Sequence, residues 1–143
     1  MRLHLLTIGT PKLAYAQIGW QEYLNRLKRL HSVRETHLAD KFAYDALKIQ
    51  QTVSKTFVVA LIIDGPQLTS QELANFLAKQ ELDAREVSFL IGGPEGLPQD
   101  VIEKADATLS FSKLTFPHDL AMVILVEALY RASTINASLP YHK

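Results

Sequence analysis

Cysteine is absent from this 143-residue chain, which removes disulfides, zinc knuckles and iron–sulfur clusters together. Nothing in the composition argues for an oxidising compartment. A surplus of charge is lacking too, because 15 Lys and Arg are cancelled by 15 Asp and Glu. Taken whole, that balance counts against a nucleic-acid partner, since phosphate binding usually leaves a basic excess. Long hydrophobic runs are also missing. The longest cover residues 57–63 and 120–126, far short of the roughly 20 residues a membrane span requires. No cleavable signal pattern opens the chain, so the expected location is the cytoplasm.

What is present describes a globular chain. Apolar residues make up 48% and charged residues 21%. A chain of this size buries roughly 70% of the surface its unfolded form exposes, enough to fold without a staple. One domain over residues 1–143 is expected. The neutral total conceals an uneven distribution: residues 1–55 carry nine basic against four acidic side chains, residues 56–110 three against nine, and the rest three against two. Such asymmetry reads either as a polyanion-facing surface or as the chance product of solvated helix faces.

Strand and helix patterns alternate along the chain. Residues 3–8 read as an apolar strand ended by Gly9, and 14–30 as a helix with Tyr15, Ile18, Tyr23, Leu24, Leu27 and Leu30 near one stripe. A second strand is expected over 33–38 and a second helix over 42–53, with Ala43, Ala46, Leu47 and Val53 inward. The apolar run 57–63, stopped by Asp64-Gly65-Pro66, reads as a strand covered on both faces in the middle of a parallel sheet. Thr69 and Glu72 have capping-box spacing ahead of Leu73, Phe76 and Leu77. A buried strand at 87–91 runs into Gly92-Gly93-Pro94-Glu95-Gly96; a helix over 99–105 follows, with Pro98 suited to its first turn, then a strand over 108–111 and a loop over 112–118. The last helix is expected to start at Asp119 as N-cap and to reach about Asn136. Its stretch 120–126 is apolar all round, which suits burial on more than one side and a subunit interface. The alternation predicts an α/β fold with a mostly parallel sheet flanked by helices.

In open α/β sheets, ligands bind beyond the carboxyl ends of the strands, which singles out the loops at 64–66, 92–97 and 112–118. The glycine-rich loop reads either as a cofactor cradle or as a tight strand-to-helix turn. It fits neither the dinucleotide fingerprint nor the P-loop. Five histidines are present without Cys or an H-E-x-x-H pattern, so no metal site is expected. His4 alternates with apolar residues and reads as structural. His118, after Pro117, either projects into the carboxyl-end crevice or anchors a loop to a helix. His142 stands in the terminal Tyr141-His142-Lys143. No Ser-His-Asp pattern, nucleophile elbow or acid pair emerges from spacing.

Four ordered motifs are more specific. They are Phe89-Leu90-Ile91-Gly92-Gly93-Pro94-Glu95-Gly96-Leu97, Leu109-Ser110-Phe111-Ser112-Lys113-Leu114-Thr115-Phe116-Pro117-His118, Glu127-Ala128-Leu129-Tyr130-Arg131-Ala132 and Tyr141-His142-Lys143. Together with the Glu22-Tyr23-x-x-Arg26-Leu27 helix, they resemble the ribosomal RNA large subunit methyltransferase H family over essentially the whole chain.

The resemblance implies a compact SPOUT-class fold with a C-terminal trefoil knot, a rare exception to unthreaded chains. It also implies a homodimer that uses S-adenosylmethionine to methylate N3 of a pseudouridine in 23S rRNA of the assembled ribosome. Carried over by position, the cofactor contacts are Leu61, Gly93, Ser112, Lys113, Leu114, Thr115, Phe116 and Pro117. The functional C-terminal positions are Arg131, to hold a phosphate or stabilise the imidate, Tyr141, to position the base, and His142, to accept the proton. No metal is implied. The chain departs from the family where relatives commonly have an arginine four residues after the Pro-His pair: here Met122 stands there. That leaves open a non-catalytic ribosome-binding module, as well as a SPOUT enzyme acting on a different RNA.

Overall fold

The computed structural model describes residues 1–141. Among these, five parallel strands form one sheet: β1 (Arg2–Ile8), β2 (Ser32–Leu38), β3 (Phe57–Leu61), β4 (Val87–Ile91) and β5 (Ala107–Leu109), in the order β2-β1-β4-β3-β5. The helices are α1 (Ala14–Lys28), α2 (Ala46–Thr52), α3 (Ser70–Leu82), α4 (Gln99–Lys104) and α5 (His118–Asn136). The α/β class with a parallel sheet is as expected.

Side-chain alternation along the strands divides the core in two. Leu3, Leu5, Val59, Val87, Phe89 and Ile91 pack against α1, α3 and α5, while Leu6, Ile8, Ala60 and Leu90 pack against α2 and α4. Both faces are therefore covered, which is why these strands read as near-continuous apolar runs. The innermost strand is β4, every residue of which is buried. The run at 57–63 is less central than its composition suggests: β3 ends at Leu61 and lies one place from the edge, where β5 covers only its last residues. Between β1, β2 and β4 lies a buried polar line. Thr56 Oγ1 is 2.7 Å from Ser88 Oγ, Ser88 Oγ is 3.1 Å from His4 Nδ1, and His4 Nε2 is 2.8 Å from Thr36 Oγ1. Burial, reinforced by the neighbouring Arg34, pulls the His4 imidazole down to about 4, so it is neutral at physiological pH.

Several helix expectations are corrected. The inward stripe of α1 is Ala16, Trp20, Leu24 and Leu27, whereas Tyr15 and Ile18 are exposed, Ile18 by 71%. The cause is close packing of α1 on α5: a Cβ on Gly19 would lie 3.0 Å from Val123 Cγ1, so the helix turns its small residues toward that contact. The expected helix at 42–53 is instead a short 3-10 turn, Asp40–Phe42, followed by α2, because Asp45 accepts from Lys48 N at 3.0 Å and caps a new start. That later start buries Ile49 and leaves Leu47 exposed. Pro98 is the N-cap of α4 and Pro117 that of α5, both with extended ψ. The α3 capping box is present, with Glu72 N on Thr69 Oγ1 at 3.1 Å and Thr69 N on Glu72 Oε2 at 2.7 Å.

Asp119 is likewise not an N-cap of its own helix. It sits in the first turn of α5, and its Oδ2 accepts from Lys12 N at 2.9 Å and Leu13 N at 2.6 Å. Helix α1 has no side-chain cap of its own, so the start of α5 holds the start of α1. Burial pushes the Asp119 carboxyl up, but the N–H groups of Leu13 and Lys12, with His118 beside it, outweigh that and hold it below the ordinary carboxylate range.

Candidate active site

Beyond the carboxyl ends of β3, β4 and β5 the three loops enclose a cleft of about 800 Å³. Its walls are Leu61 to Asp64 after β3, Ile91 to Leu97 after β4, and Phe111, Ser112, Leu114, Thr115 and Phe116 after β5, closed by His118 and Ala121 of α5. The volume lies within the range of small-molecule sites, and its mainly apolar walls suit a flat aromatic group.

The glycine loop is at once a tight turn and a wall of this cleft. Gly96 has φ +83° and its N–H donates to Gly93 O at 2.9 Å. A Cβ on Gly92 would overlap the backbone of Gly96 and Leu97, so only glycine allows the chain to double back there. The β5 loop is also internally braced: Ser110 Oγ donates to Ser112 O at 2.9 Å, and Leu114 N donates to Ser112 Oγ at 3.0 Å. Ser112 thus shapes the wall with its hydroxyl, while Leu114, 71% exposed, is free to meet a ligand.

Of the cofactor positions expected from the sequence, Leu61, Gly93, Ser112, Leu114, Thr115 and Phe116 line the cleft; Lys113 and Pro117 are not among its lining residues. His118 does line it, and its Nε2 is buried with no hydrogen-bond partner among the described residues. From the sequence, His118 reads either as a crevice residue or as a loop-to-helix anchor. Its placement serves both, since Nδ1 lies 3.7 Å from Asp119 Oδ1 at the helix anchor. Met122, at the position where the resemblance leads one to expect an arginine, is fully buried in the core and packs there. Among the described residues no group of three or more His, Asp or Glu could hold a metal.

Arg131 and Tyr141 are brought together elsewhere. Arg131 donates from Nε and Nη2 to Glu127 Oε1 at 3.0 and 2.7 Å, and its Cζ stands 4.9 Å from the Tyr141 ring centroid. The Tyr141 hydroxyl donates to the same Glu127 oxygen at 2.9 Å and lies 3.2 Å from the Tyr23 hydroxyl. Burial, with hydrogen bonds to Tyr23 and Glu127, pushes the Tyr141 phenol well above its usual range, so it stays neutral. The bond to Glu127 keeps Arg131 charged. Glu127, which joins Arg131 to Tyr141, is not singled out in the sequence, although its i,i+4 spacing from Arg131 is a usable signal. His142 lies outside the described residues.

Ten residues of α5 separate Ala121 in the cleft wall from Arg131, an axial distance of about 15 Å at the α-helical rise. Cleft and cluster are therefore separate sites within one chain. The start of α1 exposes Leu13, Tyr15 and Ile18 by 56%, 49% and 71%, and Leu120, Val123 and Ile124 of α5 are half-buried. No helix of the described residues is long and apolar enough to cross a membrane.

Comparison with known proteins agrees with this architecture. The chain is 43% identical over 145 residues to ribosomal RNA large subunit methyltransferase H of Deinococcus deserti, covering all of both chains. It is 43% identical to the protein of the same name from Deinococcus radiodurans, covering 100% of this chain and 99% of that one. In three dimensions it is similar to a probable methylase family protein from Haemophilus influenzae, with a TM-score of 0.61 and 12% identity, covering 99% of this chain and 70% of that chain. The family described as "Predicted SPOUT methyltransferase" matches residues 1–142. With strands, glycine loop and carboxyl-end cleft in place and the match running nearly end to end, the chain belongs to the SPOUT methyltransferase family and is an enzyme of the ribosomal RNA large subunit methyltransferase H kind.

Proposed function

We propose that residues 1–143 form one SPOUT unit that acts in the cytoplasm as a homodimer, transferring a methyl group from S-adenosylmethionine to N3 of a pseudouridine in 23S rRNA. The observation that carries this reading is the cleft of about 800 Å³ with its bare Gly92-Gly93 wall, in a chain full-length similar to methyltransferases of that name. The residues present fit the cofactor. Leu61, Ile62, Ile91, Leu97 and Phe116 offer apolar surface to an adenine, and the Glu95 and Asp64 carboxylates on the wall suit its hydroxyl and ammonium groups.

When bound, S-adenosylmethionine supplies a methyl group on a cationic sulfur, so the protein needs only to orient an in-line attack and manage one proton. Arg131, fixed by Glu127 and stacked on Tyr141, presents a permanent positive charge to the oxygens of an imide as its N3–H bond is lost. Tyr141, kept neutral, positions the base and does not take the proton. In this reading His142 takes it, while the new N3–C bond forms and the C–S bond breaks.

The separation of cleft and cluster supports the dimer. A pairing of α5 helices about a two-fold axis lays the Arg131–Tyr141 end of one copy against the His118 end of the other, and the exposed Leu13, Tyr15 and Ile18 face is the apolar surface available for it. Tritiated methyl transfer to large ribosomal subunits lacking the modification tests the reading, with mapping of the methylated nucleotide. Transfer to N3 of a pseudouridine is expected. Cofactor binding without transfer would instead favour a non-catalytic ribosome-binding module, and transfer to another nucleotide a different RNA target.

A further inference from the structure

A second, smaller cleft of about 320 Å³ lies between α1 and α5, lined by Glu22, Asn25, Arg26, Arg29 and Tyr130. It is polar and adjoins the Tyr141 cluster. The Arg26 guanidinium carbon is 5.3 Å from the Tyr23 ring centroid, 5.7 Å from that of Tyr130 and 5.9 Å from that of Tyr141. The Tyr141 ring thus has Arg26 and Arg131 both within 6 Å. Glu22 Oε1 accepts from Arg26 Nε at 3.0 Å and Nη2 at 2.6 Å, which leaves Nη1 uncommitted. Arg29 is exposed, and its side chain has no hydrogen-bond or carboxylate partner among the described residues. Three other basic residues near the start of the chain are paired with carboxylates, Lys12 with Asp40, Lys28 with Glu35 and Arg34 with Glu86.

We infer that the cleft between Arg26, Arg29 and Tyr130 binds a backbone phosphate of the RNA substrate, next to the nucleotide that Arg131 and Tyr141 engage. The inference rests on the RNA-methylating reading above. The chemistry supports a phosphate in particular. Two arginines one helical turn apart and an amide line the same concave surface, and a single carboxylate leaves the site one charge positive. The rings clamp Arg26 so that its free edge is preorganised, while Arg29 adds an unpaired fork. In a protein of zero net charge, such a site adds affinity for RNA locally, without a general attraction to phosphate.

The test measures binding of unmodified large ribosomal subunits by the full-length protein across a range of KCl concentrations, alongside methyl transfer. For Arg29→Gln the half-saturating subunit concentration should rise about fivefold, and the slope of log affinity against log salt should shrink by about 0.7. The double variant with Arg26→Gln should lose more. Affinity for S-adenosylmethionine should stay within twofold of the parent in both. Arg29 is exposed, so its substitution tests the site even if Arg26→Gln perturbs the ring cluster. An unchanged half-saturation and salt slope in both variants would overturn the phosphate site while leaving the parent's methyl transfer intact. A parent that binds subunits with this arginine-dependent salt slope but transfers no methyl would retain the site and overturn the enzyme reading.

Discussion

Mixing two inactive variants should restore activity if each reaction centre is built from two copies of the chain. Thr115→Trp places an indole at an exposed position in the cleft wall, filling the space for the cofactor without entering the core. Arg131→Ala removes the charge about 15 Å along α5 from Ala121 in the cleft wall. Alone, each variant is expected to be inactive in methyl transfer, because each dimer then lacks the same half of both centres. After equal amounts are mixed and subunits exchange, half the dimers are mixed ones. In each, one centre combines the intact cleft of one copy with the intact Arg131 of the other, and the second centre carries both lesions. Recovery should therefore approach about a quarter of parental activity. The assay is tritium transfer to unmodified large subunits, with exchange followed separately by mass spectrometry of differently tagged copies. Exchange to the statistical mixture with no recovery would refute the shared centre, and a monomer in sedimentation would refute the dimer.

Other outcomes follow from single groups. Asp119→Ala leaves two backbone donors at the start of α1 without their acceptor and should cost about 2 kcal/mol in urea unfolding at pH 7. Because the folded carboxyl titrates below its unfolded value, that contribution is complete above the ordinary carboxylate range and lost as the pH falls through the folded pKa. Variant and parent should thus converge in acid. His4 acts in the same pH direction for a different reason: its folded pKa is about 4 against 6.5 unfolded, so the folded state binds fewer protons between those values and stability falls as the pH drops from 6.5 to 4. The loss is on the order of 3 kcal/mol, and His4→Gln should flatten that part of the urea-midpoint profile. Gly92→Ala should abolish S-adenosylmethionine binding in calorimetry, because its Cβ overlaps the turn backbone. Retained affinity would show that the loop does not wall the cofactor.

The sheet and the cleft were legible in the sequence because their signals are local. Continuous apolar runs ended by turn residues mark β3 and β4, and the carboxyl-end rule points to the three loops from the sequence alone. Less legible was whatever depended on a distant partner. Trp20 rather than Ile18 faces inward because Gly19 must fit against Val123, a residue more than a hundred positions away. Asp119 looked like a cap for its own helix and caps another. The clustering of Arg26 with Tyr130 and Tyr141 arises only when α1 lies along α5. The neutral total of charge hid its meaning for the same reason, since which arginines remain unpaired is decided in three dimensions.

The polar line through His4 and Ser88 bears on how the sheet finds its alignment. Strands β1 and β4 are rich in aliphatic residues, and sliding one past the other by two positions would keep their apolar side chains on the same faces. The pairing of His4 opposite Ser88 helps distinguish the native alignment from its neighbours, because a slipped sheet would break the buried imidazole–hydroxyl contact and leave His4 only Thr36 and Ser88 only Thr56. One histidine and one serine thus index two greasy strands to each other, and through them align the carboxyl ends on which the cleft is built.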